Sequence, residues 1–311
     1  MNSSFGALMR NLLVLAFVGL AAQLVDGSLG MAYGVTSSTL LLAVGIAPAA
    51  ASAAVHFSEI GTTLVSGISH HKLGNVDWRT VSILAVPGAI GAFAGATLLA
   101  NIPGEVAKPW VAGILLALGV YVMYRFLVLR GRRPTFPGRL SAKFLAPLGL
   151  FAGAMDAIGG GGWGPVGTTS LLSSGRLEPR KVVGSIDTSE FLVAIGGSVG
   201  FLLALGSAQI PWEIAGALLV GGVIAAPFAA WLVRHLPATV LGVAAGGVII
   251  LTNSKTILEA LGASGMTVLL AAALIACGWI AALTVAIRDH RRHRDATLAE
   301  LQGAQVEGIT A

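Results

Sequence analysis

The chain carries seven largely apolar runs, and a helix needs about 20 apolar residues to cross the hydrocarbon core of a bilayer. The runs fall at Ala49–Ser69, Thr80–Ala100, Pro109–Leu129, Gly184–Gly206, Trp212–Val233, Pro237–Leu251 and Met266–Ile287. The run Pro237–Leu251 is short and is expected to draw on flanking residues or local thinning to span. Only 11% of residues are charged and 55% are hydrophobic, against about 25% charged in soluble domains. No ten-residue alternation of the barrel type recurs. The composition therefore predicts an all-α integral membrane protein rather than a soluble enzyme.

The net charge of +5 is not a nucleic-acid signal, because basic residues of membrane proteins collect in cytoplasmic loops. The single cysteine, Cys277, precludes an intrachain disulfide or a cysteine metal cluster and reads as an apolar filler. Arg10 followed by Asn11–Gln23 has the outline of a signal peptide. The same stretch has a counterpart deep inside the chain, which argues for a mature segment.

That counterpart belongs to an internal duplication. Residues 23–45 (QLVDGSLGMAYGVTSSTLLLAVG) match residues 153–175 (GAMDAIGGGGWGPVGTTSLLSSG) at an offset of 130. Asp26 meets Asp156, Gly30 meets Gly160, Tyr33 meets Trp163 and Gly34 meets Gly164. One position of slippage later, Ser58-Glu59 falls on Ser189-Glu190, and later Trp78 meets Trp212 and Pro103 meets Pro237. Residues 1–130 and 143–253 are read as repeats, with 131–142 as a Pro/Gly/Arg-rich linker. Residues 265–288 form an extra membrane helix, and 289–311 a polar tail with weak helical potential at its start.

Each repeat opens with an apolar segment broken near its centre, the second being Phe144–Ser174 with its break at Asp156–Pro165. Irregular backbone at membrane depth is tolerated only where protein buries it or it lines a cavity. The expected form is a re-entrant hairpin of two short helices, followed by three transmembrane helices. With the linker inside, sixteen of the nineteen Lys and Arg residues are cytoplasmic, leaving Arg10, Lys108 and Lys255 outside. A second hairpin that crossed once would place Arg176–Lys181 outside, against the positive-inside rule. The first hairpin, Asn11–Gly45, takes its shape from the repeat. Three crossings per repeat then make two inverted repeats, with the N-terminus outside and the tail inside an inner (cytoplasmic) membrane.

The hairpin tips are the candidate binding site: Asp26, Gly30, Tyr33, Gly34, Thr36 and Ser37 in one, and Asp156, Gly160, Gly161, Trp163, Gly164, Thr168 and Thr169 in the other. Free N–H groups at a helix start carry the positive end of its dipole. Glycine admits a ligand to that backbone, and the hydroxyls add donors, so two facing tips suit a small oxyanion. The alternative is that the glycines only allow close helix crossing. Tyr33 and Trp163 are either lids over the tips or packing residues. The Gly159–Gly164 run lacks the preceding strand and the lysine of a nucleotide loop.

Acids inside a membrane face partners or water-filled cavities. Asp26 pairs with Asp156 in the repeat, and Glu59 with Glu190, with Asp187 beside the latter. His56 shares Glu59's helix face. His56, Glu59, Asp187 and Glu190 are read as a proton-coupling or pathway set, the alternative being structural hydrogen bonding. His70, His71, Asn75 and Asp77 read as a solvated cytoplasmic loop rather than a metal site. No metal and no cofactor is expected.

These residues resemble the TauE/SafE sulfite exporter family. The resemblance rests on Asp26–Gly34 (DGSLGMAYG), His56–Asp77 (HFSEIGTTLVSGISHHKLGNVD), Asp156–Pro165 and Gly184–Gly197 (GSIDTSEFLVAIGG), and covers roughly residues 15–255. It implies duplicated, oppositely oriented halves and transport of sulfite, a sulfonate or a related organic anion. The expected function is secondary transport, with export as the favoured direction. An anion channel, proton-coupled uptake of another organic anion and a membrane-embedded enzyme are the rivals. Partners would be the anion, the bilayer and protons, with no nucleic acid; a homodimer is compatible with the sequence.

Overall fold

The structure, a computed structural model, describes residues 2–29, 31, 33–128, 139–174, 176–177, 179–232 and 238–310. The described residues are almost all helical, and none forms a strand. The helices are α1 (Asn2–Leu29), α2 (Tyr33–Ala43), α3 (Pro48–Lys72), α4 (Trp78–Ala100), α5 (Gly104–Leu127) and α6 (Ala142–Gly159). A π-helical turn at Trp163–Thr168 leads into α7 (Thr169–Ser174), followed by α8 (Pro179–Leu205), α9 (Trp212–Leu232), α10 (Ala238–Ala260) and α11 (Gly265–Thr310).

Among the described residues, five helices are long and apolar enough to cross a membrane: α4, α5, α6, Lys181–Leu205 of α8 and Gly265–Arg292 of α11. The expected runs at Ala49–Ser69, Trp212–Val233 and Pro237–Leu251 are helical in their described residues but lie outside this set. Helix α3 instead buries a polar face of Ser52, His56, Ser58, Glu59, Thr62 and Thr63. The short run at Pro237–Leu251 becomes a 23-residue helix, because α10 continues through Asn253 to Ala260. The tail is more helical than expected, α11 reaching Thr310.

Helices from the two halves of the chain pack on one another. Helix α1 lies on α9 and α6 on α4, α3 faces α8, and α5 faces α10. Small residues make the first crossings close: a Cβ at Gly149 would stand 2.5 Å from Leu84 O, and one at Gly95 would stand 2.6 Å from Ala154 O. In a bilayer, lipid offers side chains as apolar a surround as protein does, so close backbone approach drives such contacts. Helix α11 packs on α10, where Trp279 Nε1 donates to Val243 O at 3.1 Å.

The first arms of the broken segments are longer than the short arms expected: 28 residues in α1 and 18 in α6. At 1.5 Å per residue the latter spans about 27 Å. The second arms are short. Both ends of the second broken segment nevertheless lie together, since Arg176 Nη1 donates to Arg139 O at 3.2 Å. Arg79 Nη1 donates to Leu140 O at 2.7 Å and Lys181 Nζ to Val76 O at 3.2 Å. Four basic residues and the start of α6 thus gather at one end of the bundle.

Candidate functional site

The two helix breaks are built alike. After α1, the Tyr33 N–H donates to Asp26 Oδ1 at 3.3 Å. After α6, the Trp163 N–H donates to Asp156 Oδ1 at 3.0 Å. Each carboxylate therefore reaches seven residues on to hold a free N–H at the start of the next helical segment, as a capping side chain does. Gly160 ends α6 with φ +67°, a left-handed conformation that glycine adopts without steric cost.

The breaks touch. A Cβ on Gly34 would lie 2.7 Å from both Gly160 O and Gly161 Cα, and 3.1 Å from Glu59 Oε1. Ser38 Oγ donates to Gly160 O and Ser52 Oγ to Ala157 O, each at 2.7 Å. Asn253, on α10, donates to Thr39 Oγ1 at 3.0 Å and to Ile249 O at 2.8 Å. Ser38, Ser52 and Asn253 escaped the sequence reading. Hydroxyls are common in helices, and Asn253 lies beyond the apolar run that marked α10.

Of the expected tip residues, Asp26, Tyr33, Gly34, Thr36, Ser37, Asp156, Gly160, Gly161, Trp163, Gly164, Thr168 and Thr169 are all buried. Gly30 lies outside the described residues. Thr36 Oγ1 and Ser37 Oγ are buried without a hydrogen-bond partner, whereas Thr169 Oγ1 donates to Pro165 O. Tyr33 and Trp163 act as braces: Tyr33 Oη contacts Ser58 Oγ at 3.0 Å and donates to Leu218 O at 3.3 Å. Trp163 is fully buried, with Nε1 donating to Ile186 O at 3.2 Å. An open cavity of about 380 Å³, lined by Leu118, Tyr121, Pro165, Val166, Thr169 and Ser170, reaches the second break.

Helices α3 and α8 bring the remaining ionisable groups to the breaks. Glu59 and Glu190 sit near the midpoints of their helices, and both are buried. His56 Nε2 stands 3.4 Å from Asp156 Oδ2. On the other side Ser66 Oγ donates to Asp187 Oδ2 at 2.7 Å, and His70 Nε2 lies 3.4 Å from the same oxygen. Glu190 lies within electrostatic reach of Glu59, Asp26, Asp156 and Asp187. The solvated-loop reading of His70 and His71 is corrected: both lie in the last turn of α3. His70 turns inward to Asp187, and His71 packs edge-on against Trp78 with ring centroids 5.3 Å apart. Asp77 caps α4 by accepting from Thr80 N at 2.8 Å. The signal missed in the sequence was spacing: Ser66 and His70 fall four residues apart, on one face of a helix.

An all-helical bundle with several membrane-length helices, and acid-held helix breaks in contact at its centre, is the architecture of a multi-pass membrane transporter. The family model for the sulfite exporter TauE/SafE matches residues 15–256, and the chain belongs to that family. It is 53% identical over 254 residues to the probable membrane transporter protein YtnM of Bacillus subtilis (strain 168), covering 81% of this chain and 84% of the relative. The probable membrane transporter protein YdhB of the same strain is 28% identical over 142 residues, 45% of this chain and 58% of its own length. A probable membrane transporter protein of Xylella fastidiosa (strain Temecula1 / ATCC 700964) is 29% identical over 184 residues, 55% of this chain and 65% of its own. No solved structure matches the chain.

Proposed function

We propose that this chain is a secondary transporter of a small sulfur-containing anion, sulfite or a sulfonate, bound where the two helix breaks meet. The observation that carries the proposal is the paired construction of the breaks, each with a carboxylate holding the first N–H of the segment beyond it. Free N–H groups near Gly34 and Gly164, with the hydroxyls of Thr36, Ser37 and Thr168, would supply the donors, and Thr169, whose hydroxyl donates to Pro165 O, would line the site. Membership of the sulfite exporter TauE/SafE family supports the sulfur oxyanion, with export as the favoured direction.

The mechanism follows from the charges. Asp26, Glu59, Asp156, Asp187 and Glu190 are all buried at the centre, and an anion cannot enter beside five carboxylates unless some are neutralised. His56, Glu59, Asp187 and Glu190 would carry the protons that do so and would line the path. The domains follow the sequence: repeats at 1–130 and 143–253, a linker at 131–142, an added helix at 265–288 and a cytoplasmic tail at 289–311. A second hairpin opening on the linker's side is supported by the basic residues gathered at one end; the opposite first hairpin, with the N-terminus outside, follows from the repeat alone. Alternating access would come from rocking of one repeat against the other.

The test is equilibrium binding of sulfite, a sulfonate and a carboxylate of equal charge to purified protein. Saturable binding of the sulfur anions, weakened about tenfold (about 1.4 kcal/mol) by Thr168→Ala, supports the site. Binding that ignores Thr168→Ala in a folded variant removes it.

A further inference from the structure

Where the two breaks meet, three side chains bring ligand atoms together. Ligand atoms of His56, Glu59 and Asp156 all lie within 4.8 Å of one another. His56 is 0% exposed, Glu59 1% and Asp156 1%. His56 Nε2, both Glu59 carboxylate oxygens and Asp156 Oδ2 have no hydrogen-bond partner. Among the described residues, no lysine or arginine pairs with any of the three. Two carboxylates left in this way are costly, because burial removes water and nothing replaces it.

The surroundings hold the donors in place. His56 Nδ1 lies 3.0 Å from Ser52 O; a carbonyl only accepts, so Nδ1 carries a hydrogen and, in the neutral ring, Nε2 is the free nitrogen. Two lone pairs, on Nε2 and on Asp156 Oδ2, would then face each other at 3.4 Å unless a positive charge lies between them. The ring is wedged against Gly197, where a Cβ would collide with Cδ2, and meets Phe201 edge-on at 5.8 Å. Asp156 is fixed through its other oxygen by Trp163 N. Such outer contacts are what orient metal ligands in proteins.

A proton on His56 would satisfy Asp156 and leave both Glu59 oxygens unpaired, whereas a divalent ion reaches all three groups and balances two carboxylates. One imidazole with two carboxylates suits first-row transition ions, whereas calcium, magnesium and sodium favour oxygen alone. Among the described residues the second half holds no equal set: His56 corresponds to Asp187, which pairs instead with Ser66 and His70. We infer that His56, Glu59 and Asp156 form a binding site for one first-row divalent transition-metal ion at the junction of the helix breaks. This inference stands on that geometry alone and holds whether or not the substrate is a sulfur anion; with the ion bound, proton carriage would fall to Asp187 and Glu190.

The experiment uses full-length purified protein, stripped of metal, with His290 and His293 changed to Gln to silence the tail. It is titrated with Co2+, followed by equilibrium dialysis and visible absorption, and the bound ion is then competed with Zn2+. The structure predicts one equivalent bound and displaced by Zn2+. Glu59→Gln and His56→Gln should each weaken binding at least tenfold while retaining a cooperative thermal transition, and His70→Gln should bind as the parent does. The site is overturned if the folded parent binds neither ion saturably, if Glu59→Gln binds Co2+ unchanged, or if sodium alone stabilises the protein. None of these readouts involves anion transport, so failure here leaves the proposed function to its own test.

Discussion

Neighbouring hydroxyls on α2 face different environments, and the difference predicts opposite behaviour on substitution. Ser38 Oγ donates to Gly160 O across the junction, so Ser38→Ala strands a buried carbonyl and should cost about 1–3 kcal/mol. Ser37 Oγ is buried without a partner, so Ser37→Ala should leave thermal stability unchanged or raise it. If Ser37 binds the anion, the same change should weaken binding about tenfold, roughly 1.4 kcal/mol. Thermal unfolding and anion titration of the two variants separate the roles. The sequence picked out Thr36 and Ser37 and passed over Ser38, because a helix start is readable from glycine and hydroxyl spacing. Which hydroxyl meets the opposite break depends on a contact between residues more than a hundred positions apart.

Within the elements, the helix breaks were legible because an acid, glycines and an aromatic recur at one offset. What the sequence did not show is the length of the arms: α6 runs to Gly159, past the acid that was expected to open its break. Asp156 lies inside the helix and reaches forward to Trp163, so the residue marking the break is not where the helix stops. The polar face of α3 was legible as His56 and Glu59 but not as a route to His70, whose partner Asp187 lies on α8. Glycine positions in the breaks yield a second contrast. Gly34→Ala puts a Cβ 2.7 Å from Gly160 O and Gly161 Cα and should part the breaks, lowering thermal stability and abolishing anion binding. Gly45→Ala faces open space at φ +91°, so it should cost only about 1–2 kcal/mol of backbone strain and leave binding intact. Equal loss of binding in both variants would mean that the contact between breaks has no part in the site.

For the whole molecule, the apolar runs and the charge bias were enough to read an all-helical membrane protein. Pairing of the halves needed the packing of α1 on α9 and of α6 on α4. The topology makes a direct prediction, because Cys277 is the only cysteine and can be replaced. On a Cys277→Ala background, Ser141→Cys and Ser174→Cys flank the second broken segment. Both should react with an impermeant maleimide from the cytoplasmic side alone, since Arg176 and Arg139 bring the two ends together. Labelling from opposite sides would make that segment a single crossing and would end the inverted arrangement. Carrier-type movement of a sulfur oxyanion through the junction can be read by counterflow in proteoliposomes. Vesicles preloaded with unlabelled sulfite and diluted into a trace of labelled sulfite should accumulate the label transiently, with saturable initial rates and a marked loss in Glu190→Gln. Label that only equilibrates, with rates linear in sulfite and the same in Glu190→Gln, would contradict such movement and make the protein a passive pore or a carrier of something else.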